Sequence, residues 1–305
     1  MERYLSFSEA CKNRYGRRLY KVSLDAGMTC PNRDGTCGTG GCIFCSGRGS
    51  GEFAIRFDGQ KLHREDLVYN HQDAEEGDYI AYFQAFTNTY DRPERLARLY
   101  RAALDNDLFA GISIATRPDC LGKDVMDLLK KLKQEYPDKL IWTELGLQSM
   151  HEETAAYIRR GYPLKVFDEA VKELHEAGIE VIVHVIIGLP HEDKEMMLAT
   201  IRHLSSLPVD GVKLQLLHYL ADSDLGKAYL LHPEDFHVLS LQEYADIICA
   251  CIKELRSDIV IHRLSGDGSP AKLLAPLWSK DKKRVLNTIR HELKTRNIRQ
   301  GEKQI

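Results

Sequence analysis

The sequence predicts an α/β protein built on a parallel sheet. Two observations carry that expectation. Short runs rich in β-branched and aromatic residues alternate, six times over, with segments whose apolar residues recur at helical spacing. Several of the runs, 181–187 above all, are apolar almost throughout, as strands covered on both faces should be. At 305 residues and 43% hydrophobic, the chain is long enough for one large core with a small appendage.

The runs expected to be strands are 19–25, 78–84, 109–115, 140–147, 179–187 and 211–217, with a weaker seventh at 258–262. Between them, Leu96, Leu99, Tyr100 and Ala103 fall at i, i+3, i+4 and i+7. So do Val125, Leu128, Leu129 and Leu132, and again Phe167, Ala170, Val171 and Leu174. Each set gives a helix one apolar stripe to lay on the sheet. Leu241, Tyr244, Ala245, Ile248 and Ile252 mark a later helix, and 280–298 a final one. Six β-then-α units imply parallel strands with right-handed crossovers, too few for a closed eight-fold barrel. The expectation is a curved, incomplete (β/α)6 barrel or an open doubly wound sheet over 1–220, with 221–305 as a small C-terminal α/β extension. In either, ligands sit beyond the carboxyl ends of the strands.

Charged residues make up 29% of the chain and the net charge is −3. That excludes a disordered chain and a generic, strongly basic nucleic-acid binder, while leaving room for local basic patches. The opening residues carry no apolar core of signal-peptide length, and no stretch approaches the ~20 apolar residues that span a bilayer. A cytoplasmic protein with no membrane partner is expected. Its eight cysteines are then thiols or metal ligands and not disulfides.

The stretch 26–58 breaks the pattern. It is glycine-rich and too long for an ordinary βα loop. Its centre reads Cys30-Pro31-Asn32-Arg33-Asp34-Gly35-Thr36-Cys37-Gly38-Thr39-Gly40-Gly41-Cys42-Ile43-Phe44-Cys45. Clustered thiols among glycines are a metal-site signature, because glycine lets the backbone wrap an inorganic core and frees amides to donate to sulfur. Four thiolates would suit tetrahedral Zn²⁺, but zinc ribbons use two separated Cys-x-x-Cys pairs and here there is one. Three thiolates on an iron–sulfur cubane would leave one iron open to a substrate or cofactor. The spacing favours iron–sulfur and leaves zinc open.

The segment Cys30 to Cys45 resembles the cluster loop of radical S-adenosylmethionine (SAM) enzymes, in the branch that contains the catalytic subunit of the Elongator complex. That branch sets a distant Cys before Cys-x-aromatic-Cys, unlike the commoner Cys-x₃-Cys-x₂-Cys. The loop also fits the pattern C-P-N-R-D-G-T-x-G-x-G-G-C-x-F-C of a widespread bacterial radical SAM family, and the likeness runs over nearly the whole chain. The fold it implies is an incomplete radical SAM barrel. It implies a [4Fe–4S] cluster on Cys30, Cys42 and Cys45, with Cys37 a spectator at the variable position and Phe44 near the SAM adenine.

Further similarities fall just after the expected strands. Gln84, Ala85, Phe86 and Thr87 stand where such enzymes carry the Gly-Gly-Glu that binds the SAM amino group, although those residue types are absent here. Thr116-Arg117-Pro118-Asp119 resembles the T-R-P-D of the Elongator branch, with Ala115 where that branch has Glu. Glu144-Leu145-Gly146-Leu147-Gln148-Ser149 resembles its E-L-G-x-Q-S, and Arg160-Gly161 its R-G-H segment. This implies Gln148 at the ribose and Arg160 at the carboxylate. Gly188-Leu189-Pro190 resembles the turn beside the adenine, and His184 lies on the strand before it. The chemistry of these residues agrees. Arg160 offers a planar fork to a carboxylate, Glu144 can take the ammonium or a hydroxyl, and backbone at Gly188 can pair with adenine edges.

Plainer readings stand beside these. His184 reads equally as a satisfied core group, and Glu144 less so because it shares a strand end with Gln148; Arg160 reads as a cation at a helix end, and Gly188-Leu189-Pro190 as punctuation. Their shared place beyond strand ends is what counts. Gln215 and His218, after the sixth run, and His262 and Arg263, opening the segment 262–268, are substrate-side candidates or simple turn residues. Cys249 and Cys251 read as core or surface thiols. Two basic clusters, 280–303 and Arg14, Arg17, Arg18 with Lys21, read as solvated faces or as patches for RNA phosphates.

The implied activity is reductive cleavage of SAM at the cluster to a 5′-deoxyadenosyl radical, with an external one-electron reductant of flavodoxin or ferredoxin type, in tRNA or other RNA modification. A small-molecule or protein substrate is the alternative within that class. A non-catalytic, zinc-stabilised RNA-binding module is the alternative outside it.

Overall fold

The computed structural model describes residues 3–67, 74–75, 77–266 and 268–303; Asp267, within the segment 262–268, lies outside them. In chain order the strands are β1 Tyr20–Asp25, β2 Ile55–Arg56, β3 Tyr79–Phe83, β4 Phe109–Thr116, β5 Leu140–Gln148, β6 Glu180–Ile187, β7 Gly211–Leu216, β8 Tyr219–Leu220, β9 Val260–Arg263 and β10 Leu273–Ala275. The helices are α1 Phe7–Tyr15, α2 Pro93–Leu104, α3 Lys123–Glu135, α4 Glu152–Tyr157, α5 Leu164–Glu176, α6 Lys194–Ser205, α7 Asp224–Leu231, α8 Leu241–Glu254 and α9 Lys282–Thr295.

All six strongly marked runs are strands, and they are parallel neighbours in one sheet ordered β2-β1-β3-β4-β5-β6-β7-β9. The weak seventh run is β9, which pairs parallel with β7 and so enters the same sheet from the stretch assigned to the C-terminal extension. Strand β2, inside the stretch expected to be loop, pairs parallel with β1; two residues are too few to show a period. Strands β8 and β10 form a separate antiparallel pair. The expected incomplete parallel barrel is therefore present, widened by short strands at both edges. In the strand order, β2 and β9 end the ladder without meeting.

The three helical stripes do what their spacing requires. Leu96, Leu99, Tyr100 and Ala103 of α2, Leu129 and Leu132 of α3, and Phe167, Val171 and Leu174 of α5 are fully buried in one apolar core with the outward faces of the strands. Burying each such side chain contributes roughly 1.5–3 kcal/mol. Helix α8 starts at a capping box in which Ser240 and Glu243 each take the other's backbone amide.

One end of the barrel is plugged. Leu5 accepts a hydrogen bond from the amide of Ile261 (2.8 Å), which ties the N-terminus to β9. Helix α1 follows, and its Phe7 and Cys11 pack against Leu19, Ile80, Trp142 and Ile182 near the strand starts. The opposite end, where the strands finish, is left to the loops.

Candidate functional site

The chain leaves β1 at Asp25 and wraps the 26–54 loop over the strand ends. Cys30, Cys42 and Cys45 line one cavity of about 260 Å³ there, together with Phe44. Two glycines make the wrap possible. Gly41 has φ 85° and Gly49 φ 56°, and a Cβ at Gly49 would meet the Phe86 ring at 2.4 Å. Asn32 pins the loop: its side-chain amide donates to the carbonyl of Arg159 (2.7 Å) and to Cys42 Sγ (3.5 Å). Burial pushes the Cys42 thiol up to about 12 and raises that of Cys45, against the pull of Arg33. These sulfurs need a metal to lose their protons. Cys37 is exposed and lines a separate surface depression with Tyr90 and Cys120.

This donor set fits an iron–sulfur cubane. Three thiols line one cavity, and an amide hydrogen is directed at one sulfur, the usual tuning contact. Among the described residues no three His, Cys, Asp or Glu side chains converge as they would around a single metal ion.

Of the strand-end residues, Gln84, Phe86, Thr87, Glu144, Gln148, His184, Gln215, His218 and Arg263 line the same cavity. Ala85 does not; it is buried where a Cβ on Gly51 would touch it. Gly188 lies in another depression with Pro190, His191 and Leu239. His262 sits deeper, stacked on Phe7 at 4.7 Å between ring centres.

Arg160 borders the cavity, but its donors are already committed. The guanidinium donates to the carbonyls of Tyr162 (3.0 Å), Leu147 (3.2 Å) and Ser149 (2.6 Å), and pairs with Glu152 at 3.4 Å. It braces the turn after β5, a structural role beside the one expected at a carboxylate. Arg160→Met leaves those carbonyls unsatisfied, and thermal unfolding should show a loss of about 2–3 kcal/mol.

Below the loop lies a polar layer that sequence reasoning missed. Lys21, Tyr82, Ser113, Glu144, His184 and Lys213 come from the neighbouring strands β1, β3, β4, β5, β6 and β7 and turn into the barrel. Glu144 is their hub. Its Oε1 accepts from Lys21 Nζ (2.5 Å) and Ser113 Oγ (2.7 Å), and its Oε2 from His184 Nε2 (2.7 Å) and Lys213 Nζ. Lys213 also donates to the Tyr82 hydroxyl (3.1 Å), and Lys21 to His262 Nδ1 (3.3 Å). Burial alone would raise the Glu144 carboxyl, but Lys21 and Lys213 outweigh it and hold the group well below the usual carboxylate range. Burial lowers both lysines, Lys213 to about 7, and lowers His184 to about 4, leaving the imidazole neutral. Glu144 is thus ionised and shielded by lysines, and does not present a bare carboxylate to an ammonium group.

Lys21 therefore leaves the basic cluster expected with Arg14, Arg17 and Arg18. Arg14 and Arg17 pair with Glu180 (2.9 Å) and Asp78 (3.2 Å). The other cluster fares better: Lys283, Arg284, Arg290 and Lys294 are exposed along α9.

Comparison with known proteins bears on this geometry. Residues 34–204 match the radical SAM superfamily, and residues 209–295 match the radical SAM C-terminal domain. The chain belongs to the radical SAM superfamily. It is 40% identical to the protein YtqA of Bacillus subtilis over 303 residues, 99% of this chain and 92% of that one. A tRNA uridine(34) acetyltransferase of Methanocaldococcus jannaschii is 29% identical over 85 residues, 28% of this chain and 15% of that one. Among solved structures, Elp3 of Methanocaldococcus infernus shares the fold with a TM-score of 0.62 at 16% identity, covering 73% of this chain and 55% of that one. The chain thus spans little more than half of that Elp3 structure. As a radical SAM enzyme it takes a [4Fe–4S] cluster and SAM as cofactors. Among the described residues no helix is long and apolar enough to cross a membrane.

Proposed function

We propose that this radical SAM enzyme cleaves SAM reductively and uses the resulting radical to modify RNA, tRNA being the favoured substrate, in the cytoplasm. The observation that carries the reading is the single cavity shared by Cys30, Cys42, Cys45 and the polar ends of β3, β5, β6 and β7. A [4Fe–4S] cluster held by Cys30, Cys42 and Cys45, once reduced by a flavodoxin- or ferredoxin-type donor, would supply the one electron needed to break the C5′–S bond of SAM, with methionine and a 5′-deoxyadenosyl radical as the two fragments. The chain's own residues hold and shield the reactants. Phe44 and Phe86 offer flat apolar faces for the adenine. Gln84, Thr87 and Gln148 supply donors and acceptors for the ribose and amino-acid groups. Gln215, His218 and Arg263 lie on the substrate side. Residues 1–220 form the catalytic core, and 221–305 extend its wall through β9. The cationic face of α9 and the likeness to a protein named as a tRNA uridine(34) acetyltransferase support RNA.

Two measurements test this. Anaerobically reconstituted protein with SAM and dithionite should form 5′-deoxyadenosine; a fully loaded cluster that forms none defeats the catalytic part. RNA from cells with and without the gene should differ in one modified nucleoside; identical profiles defeat the RNA part.

A further inference from the structure

The polar layer inside the barrel is unevenly charged. Two lysines, Lys21 and Lys213, share the one carboxylate of Glu144, and the neighbouring His184 is neutral. Lys213 and Glu144 are 3% and 1% exposed. Each buried ion costs several kcal/mol to desolvate unless it is matched, so a surplus cation here is held at a cost. Lys213, Glu144, Tyr82 and His184 also form part of the cavity wall that carries the three loop thiols higher up. An ammonium has three hydrogens. Lys213 spends two of them on Glu144 and Tyr82, so a third remains for a ligand in the cavity.

We infer that this layer is a binding site for a carboxylate carried by the substrate, with Lys213 as its direct partner and Glu144 and Tyr82 as the groups that aim the ammonium. A carboxylate is the smallest organic anion that can accept that third hydrogen. The site lies in the middle of the strands, beneath the loop, so it receives one side group and not a polymer backbone. The inference rests on the radical SAM reading only for what the carboxylate is attached to.

The protonation of Lys213 makes the site measurable. Lys21 on β1, Tyr82 on β3, Glu144 on β5, His184 on β6 and His262 and Arg263 on β9 surround it. Of these, Glu144 favours its charged form, while Lys21 and Arg263 oppose it. An anion arriving at the ammonium favours the proton-bound form. Binding then takes up a proton whenever Lys213 starts neutral, and affinity falls about tenfold for each pH unit above about 7.

The probe is acetate against its neutral analogue acetamide, at constant ionic strength set with chloride. The readout is thermal stabilisation of the reconstituted holoenzyme, with and without saturating SAM. Acetate alone should stabilise, should still do so with SAM bound, and should weaken with rising pH as stated. Lys213→Met should abolish the acetate effect. Equal effects of acetate and acetamide overturn the inference. So does loss of the acetate effect on adding SAM, which would place the anion at the cofactor's own carboxylate site. Tighter binding of inorganic phosphate than of acetate also overturns it. If Lys213→Met does not fold, the wild-type pH slope decides: a flat profile from pH 6 to 9 rejects the site. None of these readouts depends on SAM cleavage. Absent acetate binding with normal 5′-deoxyadenosine formation would therefore sink this inference alone.

Discussion

Cys42→Ala protein, purified and reconstituted without oxygen, should lack the broad absorbance near ~400 nm and form 5′-deoxyadenosine at less than about a thousandth of the wild-type rate. Cys42, a ligand in the proposed cluster, is held in place by the protein. Its sulfur receives the Asn32 amide hydrogen at 3.5 Å, and the same amide ties the loop to the carbonyl of Arg159 at 2.7 Å. Without that thiolate the cubane has two anchors left and no preorganised third. The cofactor carries the difficult chemistry, so its loss is not a partial defect. Cys37→Ala is the matched control. Its side chain is exposed and lies outside the cavity, so iron content and rate should stay within about twofold. Iron content and product formation, measured together on both variants, check the assignment. A Cys37 variant as colourless as the Cys42 variant would move the site.

Glu144→Gln should be among the most destabilising single substitutions in the chain, at about 3–5 kcal/mol near pH 7. It strands Lys21 and Lys213 inside the barrel with no carboxylate, where in the wild type both donate to Glu144. The damage has a definite pH signature. In the wild type burial already lowers both lysines, Lys213 to about 7, with Glu144 favouring their charged forms; without that carboxylate they lose their protons at lower pH still. Below about 7 the folded variant therefore holds fewer protons than the folded wild type, and its stability rises more steeply with pH. Denaturant unfolding of both proteins at pH 5.5 and pH 8 should show the deficit of Glu144→Gln shrinking at the higher pH. A deficit that stays constant would mean that lost packing, not stranded charge, is responsible.

The strands were legible because each is covered on both faces, which leaves an apolar run that few other structures produce. The loop that brings Cys30, Cys42 and Cys45 to one cavity was legible because clustered thiols in a glycine-rich segment are a metal-site signature. The polar layer was hidden. In the sequence Lys21 stands among Arg14, Arg17 and Arg18 and reads as surface, and only curving the sheet shows that it faces inward. A signal was present all the same. Lys213 and Glu144 each interrupt an otherwise apolar strand, and a charge in a strand buried on both faces requires an opposite charge on a neighbour. Pairing the interruptions by sign would have joined them. The backbone contacts of Arg160 were hidden for a related reason. Spacing after Gln148 marks its importance, but a guanidinium with five hydrogens serves a cofactor or its own backbone equally well. The distinction lies in the carbonyls of Leu147, Ser149 and Tyr162, which no motif records.

A sealed cylinder of strands has its bore dictated by how many there are and how far they stagger. This one is split lengthwise, because the two outermost strands never zip together. Among the described residues, then, closure of the ladder does not set the width of the bore, and the side chains and loops along the split decide what it can hold.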